Sequence, residues 1–389
     1  RYAGWFVAVV LGIAGLTATW WLLNDPSMLF PATLAVLVIS CPCALSLATP
    51  AAIASSSRAL LEQGVLLTRG AALEVLGSVD TVVFDKTGTL TTGTPVLVGS
   101  VVNPSRTEFD HDEALRIAAL LEIDSSHPVS RAFAGQQSDR NAVRDVIHRE
   151  NGVEGKVDGI RFRLGNAAFT GCNNDDFEGG MARLWLVDEH GWIARFDLDD
   201  GLREAAQETM AALRGRGLEL IVLSGDHRQP VASVAERTGI SSWYADQNPK
   251  MKMEFLKNLQ LQVNTVLMVG DGINDAPVLS VANVSMTVSG ASELANSAAD
   301  FIITGNTMIY IDNIFEASAK TRSVIQQNLL WALGYNLLAV PFAAAGLIVP
   351  WMAALGMSLS SLLVVLNSGR LARKSQGTSQ FIRAEASAQ

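Results

Sequence analysis

Charge is missing from long stretches of this sequence. No Asp, Glu, Lys or Arg occurs from Tyr2 to Asn24, from Pro26 to Ser57, or from Ser323 to Gly369. A helix needs about 20 apolar residues to cross the hydrocarbon core. The first two runs therefore fit one span each, and the third fits two, with a turn near Val349-Pro350. The 49% hydrophobic content of the 389 residues agrees with membrane spans. Cysteine is scarce as well: Cys41, Cys43 and Cys172 are the only three, which argues against a disulfide framework. No small-residue cleavage site follows the first run, where Trp20-Trp21 stand instead, so it does not read as a signal peptide. There is no internal repeat, and a net charge of -9 gives no hint of a nucleic-acid partner.

The charges that are present fix an orientation. Arg58, Arg69, Lys320, Arg322, Arg370, Arg373 and Lys374 flank one side of the four expected spans. The turns at Asn24-Asp25-Pro26 and Pro350 carry no Lys or Arg. By the positive-inside rule the segment from Arg58 to Arg322 and the C-terminus face the cytoplasm. The Ser/Gln-rich tail after Lys374 is expected to be disordered.

Three apolar runs in the soluble segment end in the same way. Thr81–Phe84 ends in Asp85, Leu218–Leu223 in Ser224-Gly225-Asp226, and Thr265–Val269 in Gly270-Asp271. Helical patterns at 203–213 and 253–259 alternate with them, which predicts a parallel sheet covered on both faces. Active sites of such sheets lie at the carboxyl ends of the strands. Asp85, Ser224, Asp271 and Asp275 are thus expected in one cleft. A carboxylate followed by backbone N–H groups and hydroxyls can attack a phosphoryl group and form an aspartyl-phosphate. Mg²⁺ held by Asp85 and Asp271 would neutralise phosphate oxygens, and Lys252 in "NPKMK" can add positive charge. Any one Asp alone would read as a solvated strand end. The combination D-K-T-G-T-L-T with G-D-G-x-N-D-A-P does not.

These motifs resemble those of the P-type ATPases, whose phosphorylation domain has the haloacid dehalogenase fold, and the resemblance covers nearly the whole chain. It implies that Asp85, in Asp85-Lys86-Thr87, is the phosphorylated nucleophile and that Thr87, Ser224 and Gly225, followed by Asp226, contact phosphate. Lys252 matches the lysine of P-x-x-K. Asp271 and Asp275, flanking Asn274, match the magnesium-site aspartates. At Ser224 the family more usually has Thr. The resemblance also implies ATP and Mg²⁺ as cofactors.

The interval from Gly93 to Leu198 interrupts the sheet and is expected to be a separate module. "EIDSSHPVS" and "GVEGKVDGIRFRLGN" within it resemble the nucleotide-binding signature of the heavy-metal (type IB) subfamily. That implies His127 against the adenine, Glu122 nearby, and Gly152 and Gly165 allowing close backbone approach. The family has a further glycine two residues before Gly152, where this chain has Glu150. His111, His148, His190 and His227 lack metal-ligand spacing and read as surface or turn residues.

Cys41-Pro42-Cys43 interrupts the second span. Pro42 has no amide hydrogen, so the helix opens there, and open backbone at membrane depth must line an enclosed cavity. Two thiols around such a break can converge on a soft ion such as Cu⁺ or Zn²⁺. A disulfide across one residue would be strained, and two merely buried thiols would not explain the proline. The pattern resembles the metal-site signature of the type IB pumps. Tyr335-Asn336 and Met357 with Ser361, individually ordinary packing residues, together resemble patterns of the copper(I)-transporting subgroup. No ionisable carboxylate, lysine or histidine lies in any span, whereas pumps for divalent ions usually carry one.

The expected architecture is therefore membrane α-helical spans plus a cytoplasmic α/β part: a haloacid dehalogenase-like (Rossmannoid) phosphorylation domain with an inserted α+β nucleotide-binding domain. Residues 1–60 carry two spans, 61–92 and 200–319 the phosphorylation domain, 93–199 the nucleotide-binding domain, 320–370 two further spans and 371–389 the tail. The family's Thr-Gly-Glu actuator loop and further spans are absent, so the chain is expected to be the C-terminal portion of a pump. The expected activity is ATP-driven export of Cu⁺, with Ag⁺ as a mimic. Copper delivery by a cytoplasmic chaperone, contact with membrane lipid and a place in the bacterial cytoplasmic membrane are expected with it. The competing readings are a Zn²⁺/Cd²⁺ exporter, a membrane-tethered phosphatase without transport, and a non-enzymatic copper-binding scaffold.

Overall fold

The computed structural model describes residues 2–125, 128–134, 139–149, 151–172, 182–262, 264–271, 275–288 and 297–373. The chain forms a helical unit, Arg1–Ser78 with Asn313–Gln389, and an α/β unit, Val79–Asp312. Residues 61–78 fall within the first of these two units. The Ser318 hydroxyl donates to the Leu73 carbonyl at 2.7 Å and Arg322 to that of Gly77 at 3.3 Å, which ties them there.

In the helical unit the chain runs through helices Tyr2–Asn24, Pro26–Ile39 and Cys43–Glu62, and later through Ile309–Ala344 and Pro350–Arg373. The Asp25 carboxylate accepts from the Ser27 amide at 3.0 Å, and Pro26 starts the next helix where a missing N–H costs nothing. Gly346, at φ +76, ends the long helix, and the Leu347 amide reaches back to the Phe342 carbonyl at 3.0 Å. A Cβ there would stand 2.8 Å from the Trp21 ring, so glycine is required twice over. The last helix continues to Arg373, so 371–373 are helical and not tail; the rest of the tail lies outside the described residues.

Alanines face inward in this unit. Ala32, Ala35, Ala44, Ala48, Ala52 and Ala353 are buried, while Leu23 and Leu337 are 79% and 78% exposed. Small residues let helix backbones approach closely where the surroundings are as apolar as leucine. Among the described residues Pro26–Glu62 and Pro350–Ala372 are long and apolar enough to cross a membrane, and Ala8–Asn24 is a shorter apolar helix. Two of the four expected spans thus meet the length and composition test. The part of Ile309–Ala344 expected to span carries Gln326, Gln327, Asn328, Tyr335 and Asn336, which dilute its hydropathy.

The α/β unit is built on parallel strands in the order Phe301–Ile303, Val284–Thr287, Val266–Gly270, Thr81–Phe84, Glu219–Leu223, Ser242–Tyr244. Thr81–Phe84 is central and buried along its whole length, as a strand covered on both faces should be. Phe84 pairs with Val269 on one side and Val222 on the other. This register brings the ends of three strands level, just before Asp85, Asp271 and Ser224. Val83, Ile221, Leu256, Met268, Val278 and Leu279 pack one face.

Two helices differ in extent from the sequence reading. One spans Ala206–Gly215, because Ala205 adopts φ 57, outside the helical region. The other spans Pro249–Leu261, because Asn248 caps it by accepting from the Met251 amide at 2.9 Å.

The inserted module is an antiparallel sheet in the order Thr91–Val102, Gly191–Leu202, Ala182–Asp188, Ile160–Gly165, Gly152–Val157, Val143–Arg149. Helix His111–Leu121 covers it through Ala114, Ile117, Ala118 and Leu121 against Val153, Phe162 and Phe196. The module's first and last strands pair from Thr91 opposite Leu202 onward.

Candidate active site

Asp85 sits at the carboxyl edge of the central strand with its amide donating to the Val269 carbonyl at 2.9 Å. Its side chain is buried, and so is Lys252, which reaches it from the Pro249–Leu261 helix. The Lys252 ammonium donates to Asp85 Oδ1 at 2.5 Å and to Asp275 Oδ1 at 2.8 Å. Oxygens of Asp85, Asp271 and Asp275 all lie within 4.8 Å of one another. Three carboxylates thus face one ammonium. Burial, then the Asp275 charge, pushes the Asp85 carboxyl up to about 7 against the pull of Lys252. Burial and Asp275 likewise push Asp271 up to about 6, with Arg203 opposing. Burial alone would lower the Lys252 ammonium, but Asp85 and Asp275 hold it above its usual value. Uncompensated negative charge on clustered hard oxygens is the donor set that suits a divalent cation such as Mg²⁺.

The loop after Asp85 is held from two directions. Gly88 adopts φ +71, and a Cβ on it would lie 1.5 Å from Asp271 Oδ2. No other residue fits beneath that carboxylate. Lys86 pairs with Asp226 at 2.6 Å, and the Thr87 hydroxyl donates to the same oxygen at 3.1 Å. The Asp226 amide donates to Ser224 Oγ at 3.1 Å, so the second strand end is fastened to the loop of the first. Gly225 and His227 line an adjoining cleft of about 560 Å³ with Lys86 and Thr87. Asn274 lies outside the described residues.

Sequence reasoning missed Arg203. This buried side chain donates from Nε to the Thr89 carbonyl at 3.1 Å, from Nη2 to the Gly88 carbonyl, and from Nη1 to Asn306 Oδ1 at 2.5 Å. In the sequence it read only as the start of the helical pattern at 203–213.

In the inserted module a cleft of about 590 Å³ is lined by Glu122, Ser125, His148, Arg149, Gly152 and Gly165, among others. Glu122 is 9% exposed, and its Oε2 has no partner among the described residues. Gly152 and Gly165 pair across adjacent strands. A Cβ on either would come within 2.6 Å of the Phe169 ring, and on Gly165 also within 2.6 Å of the Asn151 carbonyl. Their smallness therefore seats Phe169 beneath the cleft. His148, expected only as a surface or turn residue, lies on a strand and lines this cleft. His127 and Glu150 lie outside the described residues.

The Cys-Pro-Cys segment breaks a helix as Pro42 requires. The helix stops at Ile39 and resumes at Cys43, with Pro42 at φ -81, ψ 32. Both thiols are free and half-buried. On one side of the break Ile39 clusters with Tyr335, Ala339 and Ala353. On the other, Ala44 clusters with Ala332 and Val364. The break is therefore level with the turns that carry Tyr335 and Asn336 on one helix, and Met357 and Ser361 on the other. All four of those side chains are half-buried. A Cβ at Gly356 would stand 2.6 Å from the Tyr335 hydroxyl, which packs directly beside Met357's neighbour.

A central strand ending in a buried aspartate, a lysine-bridged carboxylate cluster and an inserted module define a fold of the haloacid dehalogenase type. The family model described as haloacid dehalogenase-like hydrolase matches residues 79–283. "Cation-transporting P-type ATPase B" of Mycobacterium bovis is 37% identical over 385 residues, covering 95% of this chain and 51% of that protein. "Copper-exporting P-type ATPase" of Mycobacterium tuberculosis is 36% identical over 384 residues, covering 95% and 50%. A zinc-transporting PIB-type ATPase solved in its E2.Pi state superposes with a TM-score of 0.81 at 28% identity, over 94% of this chain and 62% of that one. The chain belongs to the haloacid dehalogenase-like hydrolases and, within them, to the heavy-metal P-type ATPases. It spans about half the length of the curated relatives it matches.

Proposed function

We propose that this chain carries the catalytic and C-terminal membrane parts of an ATP-driven Cu⁺ exporter phosphorylated at Asp85. The observation that carries this reading is the buried Asp85–Lys252–Asp275 arrangement at the sheet's carboxyl edge. An Asp85 oxygen forms a bond to the γ-phosphorus of ATP as the bond to the β–γ bridging oxygen breaks, and ADP leaves. Water later cleaves the acyl-phosphate, releasing phosphate and restoring the carboxylate. Lys252 offsets the repulsion between Asp85 and the incoming phosphate, and Thr87, Ser224 and the amide of Gly225 supply donors around it. Mg²⁺, held by Asp85, Asp271 and Asp275, would supply further charge neutralisation when bound. Asn274 joins that set by resemblance. The cleft at Glu122, Gly152 and Gly165 takes the nucleotide base, and His127 joins that set by resemblance.

Cu⁺ is favoured because the groups level with Cys41 and Cys43 are neutral: Tyr335, Asn336, Met357 and Ser361. Two thiolates already exceed the charge of a monovalent ion, and further anions in lipid would be costly. Copper-exporting relatives support the same choice. Ag⁺ is expected to substitute. The helical unit lies in a membrane, the bacterial cytoplasmic membrane given its relatives, and a cytoplasmic chaperone can hand over the ion. The second reading is Zn²⁺/Cd²⁺ export, favoured by the zinc-transporting structural relative. Radiolabelled ATP with Mg²⁺ should give an acid-stable label on the full-length protein in membranes, absent in Asp85→Asn. Labelling that persists in the variant sinks the assignment. Turnover stimulated more strongly by Zn²⁺ than by Cu⁺ transfers the ion to the second reading.

A further inference from the structure

Arg203 stands where three parts of the α/β unit meet. It directly follows Gly191–Leu202, the strand that returns from the inserted module, and its amide donates to the Leu90 carbonyl at 2.9 Å. Its guanidinium holds two successive carbonyls, Gly88 and Thr89, of the loop that follows Asp85. Its third bond goes to Asn306. The segment around Asn306 is clamped to Arg203's own neighbour. Glu204 and Thr307 form a β-bridge, the Met308 amide donates to the Glu204 carbonyl at 2.9 Å, and the Thr307 hydroxyl donates to it at 3.3 Å. The helix Ile309–Ala344, which carries Tyr335 and Asn336, begins directly after this clamp. Arg216 pairs with Asp312 in its first turn at 2.7 Å.

A planar guanidinium satisfies several acceptors in one fixed geometry, so its partners move together or the bonds break. Gly88 lies under the Asp271 carboxylate, and its φ leaves the loop no alternative residue. A shift of that loop on phosphorylation therefore either drags Asn306 or releases it. Both change the root of the long helix.

We propose that Arg203 and Asn306 are positioning residues that couple the Asp85 loop to the start of the Ile309–Ala344 helix. This deepens the reading of an Asp85-phosphorylated pump and rests on it. Arg203 sets the loop for phosphoryl transfer. Asn306 passes the loop's state to the helix.

The test uses the full-length protein in membranes with ATP, Mg²⁺ and Cu⁺ under reducing conditions. Arg203→Lys keeps the charge but cannot hold two carbonyls and Asn306 at once. It should slow phosphoenzyme formation by about tenfold or more at an unchanged nucleotide dissociation constant, since misplacement near the chemistry alone costs that much. Asn306→Ala leaves the two loop carbonyls held. It should still form phosphoenzyme, but formation should no longer depend on Cu⁺, and ions moved per ATP should fall by about half or more. Labelling of Arg203→Lys at the wild-type rate overturns the positioning role. Wild-type Cu⁺ dependence and stoichiometry in Asn306→Ala overturn the coupling. Absence of any Asp85 label in the wild type overturns the parent reading, and this inference with it.

Discussion

The two units of this chain bury opposite kinds of residue. The α/β unit hides its large side chains, Phe84, Phe162 and Phe196 among them, and gathers the buried charges of Asp85, Lys252 and Asp275 into one cluster. The helical unit hides many alanines, turns leucines such as Leu23 and Leu337 outward, and places no ionisable carboxylate, lysine or histidine in its uncharged runs. Water drives apolar bulk inward in the first case. Where the surroundings are themselves apolar, close packing of small residues decides instead. The chemistry divides along the same line. Charged groups do the work where an ammonium and carboxylates can be paired and desolvated together, and neutral or soft groups stand where unpaired charge would be costly.

The sharpest break of that contrast is to remove the ammonium that bridges two carboxylates of the charged cluster. Lys252→Met leaves Asp85 and Asp275 without the buried cation that bonds both. Phosphoenzyme formation measured in a single turnover should fall by about a thousandfold, the scale of losing a principal electrostatic contact. A loss under about threefold would mean that Lys252 merely packs.

The next prediction concerns the same cluster without metal. Asp85 is held at about 7 from an ordinary 3.8, burial being the main cause. A carboxyl raised in the folded state carries no penalty while protonated, below its unfolded value. The penalty grows as pH rises through that window and is complete above about 7, amounting to roughly 4 kcal/mol. Asp85→Asn should therefore raise the thermal midpoint of the metal-free protein at about pH 8, with a gain that vanishes near pH 4. A difference that stays flat across this range would contradict the cause assigned here.

The smallest effect belongs to the neutral side. Met357→Leu conserves volume on the last helix and removes only the thioether. Cu⁺-stimulated turnover should weaken by roughly two- to tenfold with helix packing intact. Unchanged dependence on Cu⁺ would place Met357 among the packing residues.

How much of this was legible in the sequence depends on where each residue's partners come from. The strand ending in Asp85 announced itself, because a continuous apolar run capped by a carboxylate and a Gly/Thr turn is a local pattern. Strand register then brings Asp271 and Ser224 to the same edge. Arg203 could not be found that way. Two of its partners are backbone carbonyls more than a hundred positions away in the chain, which no side-chain pattern encodes. The start of the Ala206 helix was displaced by the left-handed conformation of Ala205, which composition does not reveal. The periodic pattern at 253–259 missed the start at Pro249 as well, although Asn248-Pro249 is a cap followed by a helix-initiating proline. Hydropathy located the apolar runs. It did not say that alanines would face inward.

The inserted module leaves the parallel sheet at Thr91 and returns at Leu202, and these two residues are paired neighbours. Its entry and exit points are thus about 5 Å apart, the spacing of facing residues in an antiparallel ladder. A piece of chain attached at one such point can be lengthened, exchanged or cut out and closed by a tight turn without re-registering any strand around Asp85. The module can thus be altered as a cassette while the strand that ends in Asp85 keeps its register.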